Sequence, residues 1–176
     1  MVFSGERPTQ IGPKLIRVAV RLCAASLFAL CPWAAIASCW EHAAANYGLD
    51  PLLLKAIGWQ ESRGWSHAVG PKLPDDHQAL GVMQINTVHL ATLRALGIGR
   101  SDLFDPCVNQ SVGAWVLADC MVQFGNTWRA VGCYYAGPRS RNVAKQAEYV
   151  RAVMRHYEGY RSQQVSALPI AEAANP

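Results

Sequence analysis

Twice in this chain an Asp-Pro pair, Asp50-Pro51 and Asp105-Pro106, stands directly before an apolar-rich stretch. The aspartate can accept from the first free N–H groups of a helix, and proline suits the first helical turn, where its missing N–H costs nothing. These pairs predict helices over 51–62 and 106–124, the second stopped by Gly125. The remaining punctuation is of the same kind. Ser38 with Glu41 reads as the capping box of a short helix stopped by Gly48. Residues 88–96 form a helix ended by Gly97, and Thr127 opens one that reaches Ala136 before Gly137-Pro138. A last helix covers 142–160, and 161–176 reads as a disordered tail. Residues 63–86 are rich in Gly, Pro, His and Asp and read as a long loop with at most a short hairpin. No stretch alternates as a strand should. The expected fold is mainly α, five to six helices with that loop or hairpin after the second. With 51% apolar and only 16% charged residues, a disordered chain is excluded.

The net charge of +4 invites a nucleic-acid reading, but its distribution removes it. Residues 1–37 hold Arg7, Lys14, Arg17 and Arg21 against Glu6, which is +3, and leave +1 for all the rest. That first segment reads as an export signal. Arg17 and Arg21 precede an uncharged run over 22–37 that ends in Ala35-Ile36-Ala37, a small-x-small cleavage pattern before Ser38. An uncleaved anchor over 22–40 and lipidation at Cys39 are the alternatives. Pro32 and the alanines weaken a spanning helix. Cysteine parity favours cleavage: Cys23 and Cys31 leave with the signal, and Cys39, Cys107, Cys120 and Cys133 remain as two disulfides. The helix layout favours Cys39–Cys107 with Cys120–Cys133 among three connectivities, the other pairings staying open. No CxxC or HxxxH spacing is present, so neither a metal nor another cofactor is expected. The domain is expected to be 38–160, exported to an oxidising periplasm as a monomer.

The helix over 51–62 carries an unusual acid. Leu53 and Ile57 mark an apolar row at four-residue spacing, and the next position on that row is Glu61. Partial burial and the negative end of the helix dipole should both raise its pKa toward the range a general acid needs. The local pattern equally allows a Glu that pairs with Arg63 or with a backbone donor.

Gln60-Glu61-Ser62 is followed by Gly81-Val82-Met83-Gln84-Ile85-Asn86 and later by Tyr134-Tyr135-Ala136-Gly137. This order resembles the soluble lytic transglycosylase domain of the lysozyme-like superfamily. It is most similar to the small exported members that accompany type III and type IV secretion, pilus or conjugation machines. An Asp-Pro-Cys and a Gly-Ala-Trp-Val-Leu-Ala segment add to the likeness, which covers most of 38–137. The resemblance implies Glu61 as the catalytic acid and Ser62 as support for the charge or the sugar. It implies Met83 as a cleft wall, Gln84 and Asn86 as hydrogen-bond partners of the sugar, and Tyr134 as the group orienting the carboxyl. Val82 stands where leucine is usual, and Tyr135 where asparagine normally follows the motif's tyrosine.

What the resemblance implies chemically is cleavage of the β-1,4 bond between N-acetylmuramic acid and N-acetylglucosamine in peptidoglycan strands, without water. One glutamate then serves twice, whereas most glycosidases need two carboxylates. The rival enzyme is a hydrolytic muramidase with Asp75 or Asp76 activating water. A different class is a peptidoglycan-binding module that does not cleave. Residues 138–176, at +3, offer a basic surface for wall material or a secretion-machine partner, or simply the solvated side of a helix.

Overall fold

The computed structural model describes residues 38–167. The proposed signal segment and residues 168–176 lie outside the described residues. Six α-helices are present among those described: α1 (Cys39–Ala45), α2 (Pro51–Ser62), α3 (Leu90–Ala95), α4 (Pro106–Phe124), α5 (Trp128–Ala136) and α6 (Val143–Ala167). Between α2 and α3 lie two very short strands, β1 (Ala79–Leu80) and β2 (Ile85–Asn86), paired antiparallel with Leu80 opposite Ile85. The expected hairpin is therefore real, though it is only a two-residue ribbon with an added bridge from Val69 to Leu80.

Both Asp-Pro devices work as their chemistry requires. Asp50 Oδ1 accepts from Leu52 N at 2.8 Å, and Asp105 Oδ1 accepts from Cys107 N and Val108 N at 2.8 and 2.9 Å. Two other caps differ from expectation. Ser38 and Thr127 sit at the N-cap positions of α1 and α5 without a side-chain cap bond. The Thr127 hydroxyl donates backwards to Phe124 O instead. The last helix also runs further than Tyr160, to Ala167, so 161–167 is helical rather than tail. Neither Gly nor Pro interrupts those seven residues, and nothing local opposes propagation of the helix.

The core is a main cluster to which every helix contributes, with a smaller one of Cys120, Ala130 and Cys133 between α4 and α5. Leu54 and Ile57 of α2, Leu93 of α3, Val112 and Leu117 of α4, Val131 of α5 and Val153 of α6 are buried in the main cluster. The ribbon adds Leu80 and Ile85, so the loop after α2 is anchored from inside. α2 packs against α1, α4 and α6. Gly113 explains how α4 and the loop come so close. A Cβ there would overlap the Met83 sulfur.

Two disulfides fasten the frame. Cys39–Cys107 joins the starts of α1 and α4 with Cα atoms 5.1 Å apart, and Cys120–Cys133 joins α4 to α5 at 5.9 Å. The bridged cysteines are 68 and 13 residues apart. Loop-closure entropy then assigns about 4 and about 3 kcal/mol to them. Paired Cys→Ala substitutions should lower the unfolding free energy in urea by these amounts, the larger loss coming from the Cys39–Cys107 pair.

Candidate active site

Glu61 occupies the last turn of α2, and the chain leaves that helix abruptly. Arg63 takes a left-handed conformation at φ 58°, and Gly64 follows at φ 83°. The turn throws residues 65–80 away from the helix and brings 81–84 back across its end. This returning loop is held from three helices. From α2, Ser62 Oγ donates to Val82 O at 2.8 Å. From α4, fully buried Asn109 accepts from Met83 N at 2.7 Å and donates to Leu80 O and Leu103 O at 2.9 and 2.8 Å. From α5, the Tyr134 hydroxyl donates to Met83 O at 2.8 Å. Gln84 is left-handed at φ 51°, and its amide nitrogen donates to Gly81 O at 3.0 Å. A non-glycine residue in that region is costly unless its surroundings fix it. Gly81, at φ 76°, has no room for a Cβ beside Asn109.

The loop floors a cleft of about 620 Å³. Glu61, Gln84, Asn86 and Tyr134 line it. His89, Trp115, Asp119 and Tyr135 through Arg139 line it as well. Glu61 is only partly exposed, and burial raises its pKa from 4.5 to about 7, against a smaller downward pull from its hydrogen bond with Tyr149. The Tyr149 hydroxyl donates to Glu61 Oε1 at 2.5 Å. Burial, followed by the Glu61 charge, holds the phenols of Tyr134 and Tyr149 well above their ordinary range. Around neutral pH the carboxyl is therefore poised between its two states, with neutral phenols about it. A group in that condition can give a proton and later take one back.

Several expected roles change. Tyr134 does not hold the carboxyl; its hydroxyl is committed to Met83 O, and Tyr149 of α6 holds Glu61 instead. Met83 is not a cleft wall. Its side chain is fully buried against Gly113, where the absence of a Cβ leaves room for the sulfur. The Ser62 hydroxyl hydrogen lies on backbone carbonyls and ties the loop to α2, and Ser62 is not among the residues lining the cleft. Asp75 and Asp76 lie exposed in the outer loop and are not among the residues lining the cleft. Asp76 pairs there with Lys72, and Asp75 accepts from His77 N. The second carboxylate in the cleft is Asp119, which the sequence reading passed over together with His89 and Trp115. Trp115 and Asp119 are four apart on α4 and share a face, and the His89 ring meets Trp115 edge-on at 5.4 Å. Burial lowers the His89 pKa, partly offset by Asp119. Among the described residues no group of three or more His, Cys, Asp or Glu is arranged to hold a metal.

The family model described as "Transglycosylase SLT domain" matches residues 38–155. The chain belongs to that family. Similar proteins include X polypeptide of Escherichia coli, 37% identical over 141 residues, which are 78% of this chain and 83% of that one. Invasion protein IagB of Salmonella typhimurium is 36% identical, covering 69% of this chain and 76% of IagB. Protein IpgF of Shigella flexneri is 32% identical, covering 69% and 80%. Among solved structures, the fold is similar to an inactive mutant of lytic transglycosylase Slt from Pseudomonas aeruginosa, with a TM-score of 0.59 and 24% identity. That match covers 86% of this chain but only 30% of Slt. The enzyme class of the family is peptidoglycan lytic transglycosylase, and this chain is one.

In this transglycosylase Tyr149 is the group the sequence concealed most completely. It sits 88 residues from Glu61 and reads as one more apolar position of a long helix. Its contribution has a distinctive sign. Removing the hydroxyl in Tyr149→Phe takes away the bond that favours ionised Glu61, so the carboxyl pKa should rise further. The rate should drop about tenfold to a hundredfold, the worth of a hydrogen bond to a charged group. The alkaline limb of the pH–rate profile should at the same time move to higher pH, and measuring that profile checks both.

Proposed function

We propose that this transglycosylase cleaves the β-1,4 bond between N-acetylmuramic acid and N-acetylglucosamine by intramolecular attack. Protonated Glu61 gives its proton to the bridging oxygen as the C1–O bond breaks, and the N-acetylglucosamine side leaves as an alcohol. The muramyl C6 hydroxyl then bonds to its own C1, and the Glu61 carboxylate takes the hydroxyl proton. The product is a 1,6-anhydro ring, no water is consumed, and Glu61 ends in the state in which it began. Carrying the nucleophile on the substrate removes the entropic cost of bringing it in. The observation that carries this reading is a half-buried carboxyl lining the cleft, held by the hydroxyl of a buried phenol, with its pKa raised by burial to about 7. Gln84 through Oε1 and Asn86 through Nδ2 are the amide groups left to meet acetamido or hydroxyl groups. The amide nitrogen of Gln84 and the Oδ1 of Asn86 already serve the backbone.

The leader over 1–37 and the two disulfides support a mature protein that begins at Ser38 and works in the periplasm. The name invasion protein, borne by the Salmonella relative, supports local opening of the wall for an export, pilus or conjugation apparatus. Mass analysis of digested peptidoglycan tests the chemistry. Soluble fragments should carry anhydro ends, lighter by one water than reducing ends. Reducing ends would establish a hydrolase, and binding without released fragments a non-cleaving wall protein.

A further inference from the structure

Tyr135 stands in the last turn of α5, directly after the tyrosine that holds the loop. It is 45% exposed and lines the cleft. Its ring lies flat against the ring of Tyr149, centroids 4.6 Å apart and planes 19° from parallel. Tyr149 is itself only 7% exposed and points its hydroxyl at Glu61. Tyr149 thus lies covered between the exposed Tyr135 ring and the Glu61 carboxyl, which itself borders the cleft. From this stacking we propose that Tyr135 is a positioning residue for Glu61, acting through Tyr149: its ring shields the Tyr149–Glu61 hydrogen bond from cleft water. The inference deepens the reading of Glu61 as proton donor and rests on it.

The other groups facing Glu61 cannot supply this effect. Tyr134 of α5 is committed to Met83 O, and Tyr149 of α6 is already the direct partner. Arg63, two residues on along α2, meets His156 Nε2 at 3.2 Å. Of the charged and titratable groups that line the cleft with it, Asp119, His89 and Arg139, none makes a hydrogen bond or ion pair with the carboxyl, and its protonated state depends on exclusion of water. Offset-stacked aromatic pairs contribute beyond the area they bury, so the stack itself keeps the Tyr135 ring over Tyr149. The Tyr135 hydroxyl takes no part, and phenylalanine should serve equally well.

The test is a titration of the full chain carrying ¹³C-labelled glutamate. The Glu61 carboxyl resonance is assigned by its loss in Glu61→Gln, and pH–rate profiles on peptidoglycan are run beside it. Tyr135→Ala should lower the Glu61 midpoint by roughly one pH unit and move the descending limb of the rate by the same amount. That is about a tenfold loss at pH 8 with KM changed far less. Tyr135→Phe should restore the wild-type midpoint. A midpoint unmoved in Tyr135→Ala overturns the proposal, and so does a rise in KM with the limb in place, which would make the ring a surface for sugar only. A midpoint equally lowered in Tyr135→Phe overturns it as well, since the hydroxyl and not the ring would then matter. Absence of cleavage by the wild type would sink the functional reading, while the carboxyl titration still decides the role of Tyr135.

Discussion

Glu61→Gln is expected to abolish release of soluble fragments from peptidoglycan, a loss on the order of a thousandfold or more, and to make the protein more stable at pH 8. The two effects share one cause. A carboxyl whose folded pKa is about 7, against 4.5 unfolded, binds more protons in the native state than in the unfolded state across that interval. Stability therefore falls as pH rises from 4.5 to 7, and the loss is complete above the folded value. The shift sets an upper bound of roughly 3 kcal/mol, and about 2 kcal/mol is expected once the partial exposure of the side chain is allowed for. Glutamine cannot ionise and escapes this penalty. Urea unfolding of the two chains should nearly coincide at pH 4 and separate by pH 8, the variant being the more stable. A variant that gains nothing at pH 8 would mean that the native carboxyl is not held neutral.

Asn109→Leu should be among the most damaging single changes outside the cleft. Leucine keeps the branched outline of asparagine and is larger, so no cavity explains the result. What is lost is one acceptor and two donor positions, leaving Met83 N–H, Leu80 O and Leu103 O buried without those partners. Each stranded group costs about 1–3 kcal/mol, so a loss of at least about 3 kcal/mol is expected, with a fall in melting temperature of about 10 °C or more. Activity measured well below the new melting temperature should fall too, because the loop bearing Gln84 loses its tie to α4. A melting temperature within a few degrees of wild type would show that the loop is held by packing alone.

The helical frame was legible because its signals are local. Asp50-Pro51 and Asp105-Pro106 each specify a cap and a first turn from two adjacent residues, and both helices start where those residues put them. The apolar row Leu53, Ile57, Glu61 needed only the helical period to mark an acid out of place. The site was legible just as far as neighbouring residues reach. The Met83-Gln84 pair looks in sequence like a continuous strip of cleft, but the methionine is fully buried while Gln84, left-handed and half-buried, lines the cleft. No property of the pair alone announces that difference. Tyr149 and Tyr134 are both tyrosines near Glu61. Only the packing of α6 against α2 decides which reaches the carboxyl. Asp119 was hidden for the opposite reason, being the single acid of α4, at a helical position where an exposed acid is ordinary.

The ties on residues 81–84 bear on how a polymer is taken in. Ser62, Asn109 and Tyr134 reach this segment from three separate helices. Such a bed has little slack with which to mould itself to a guest, and the conformational adjustment on docking falls to the strand. A carbohydrate chain already slack enough to bend would enter at little cost. One stretched between distant anchorages would have to give up tension first, so the fabric is expected to be nicked where it hangs loose.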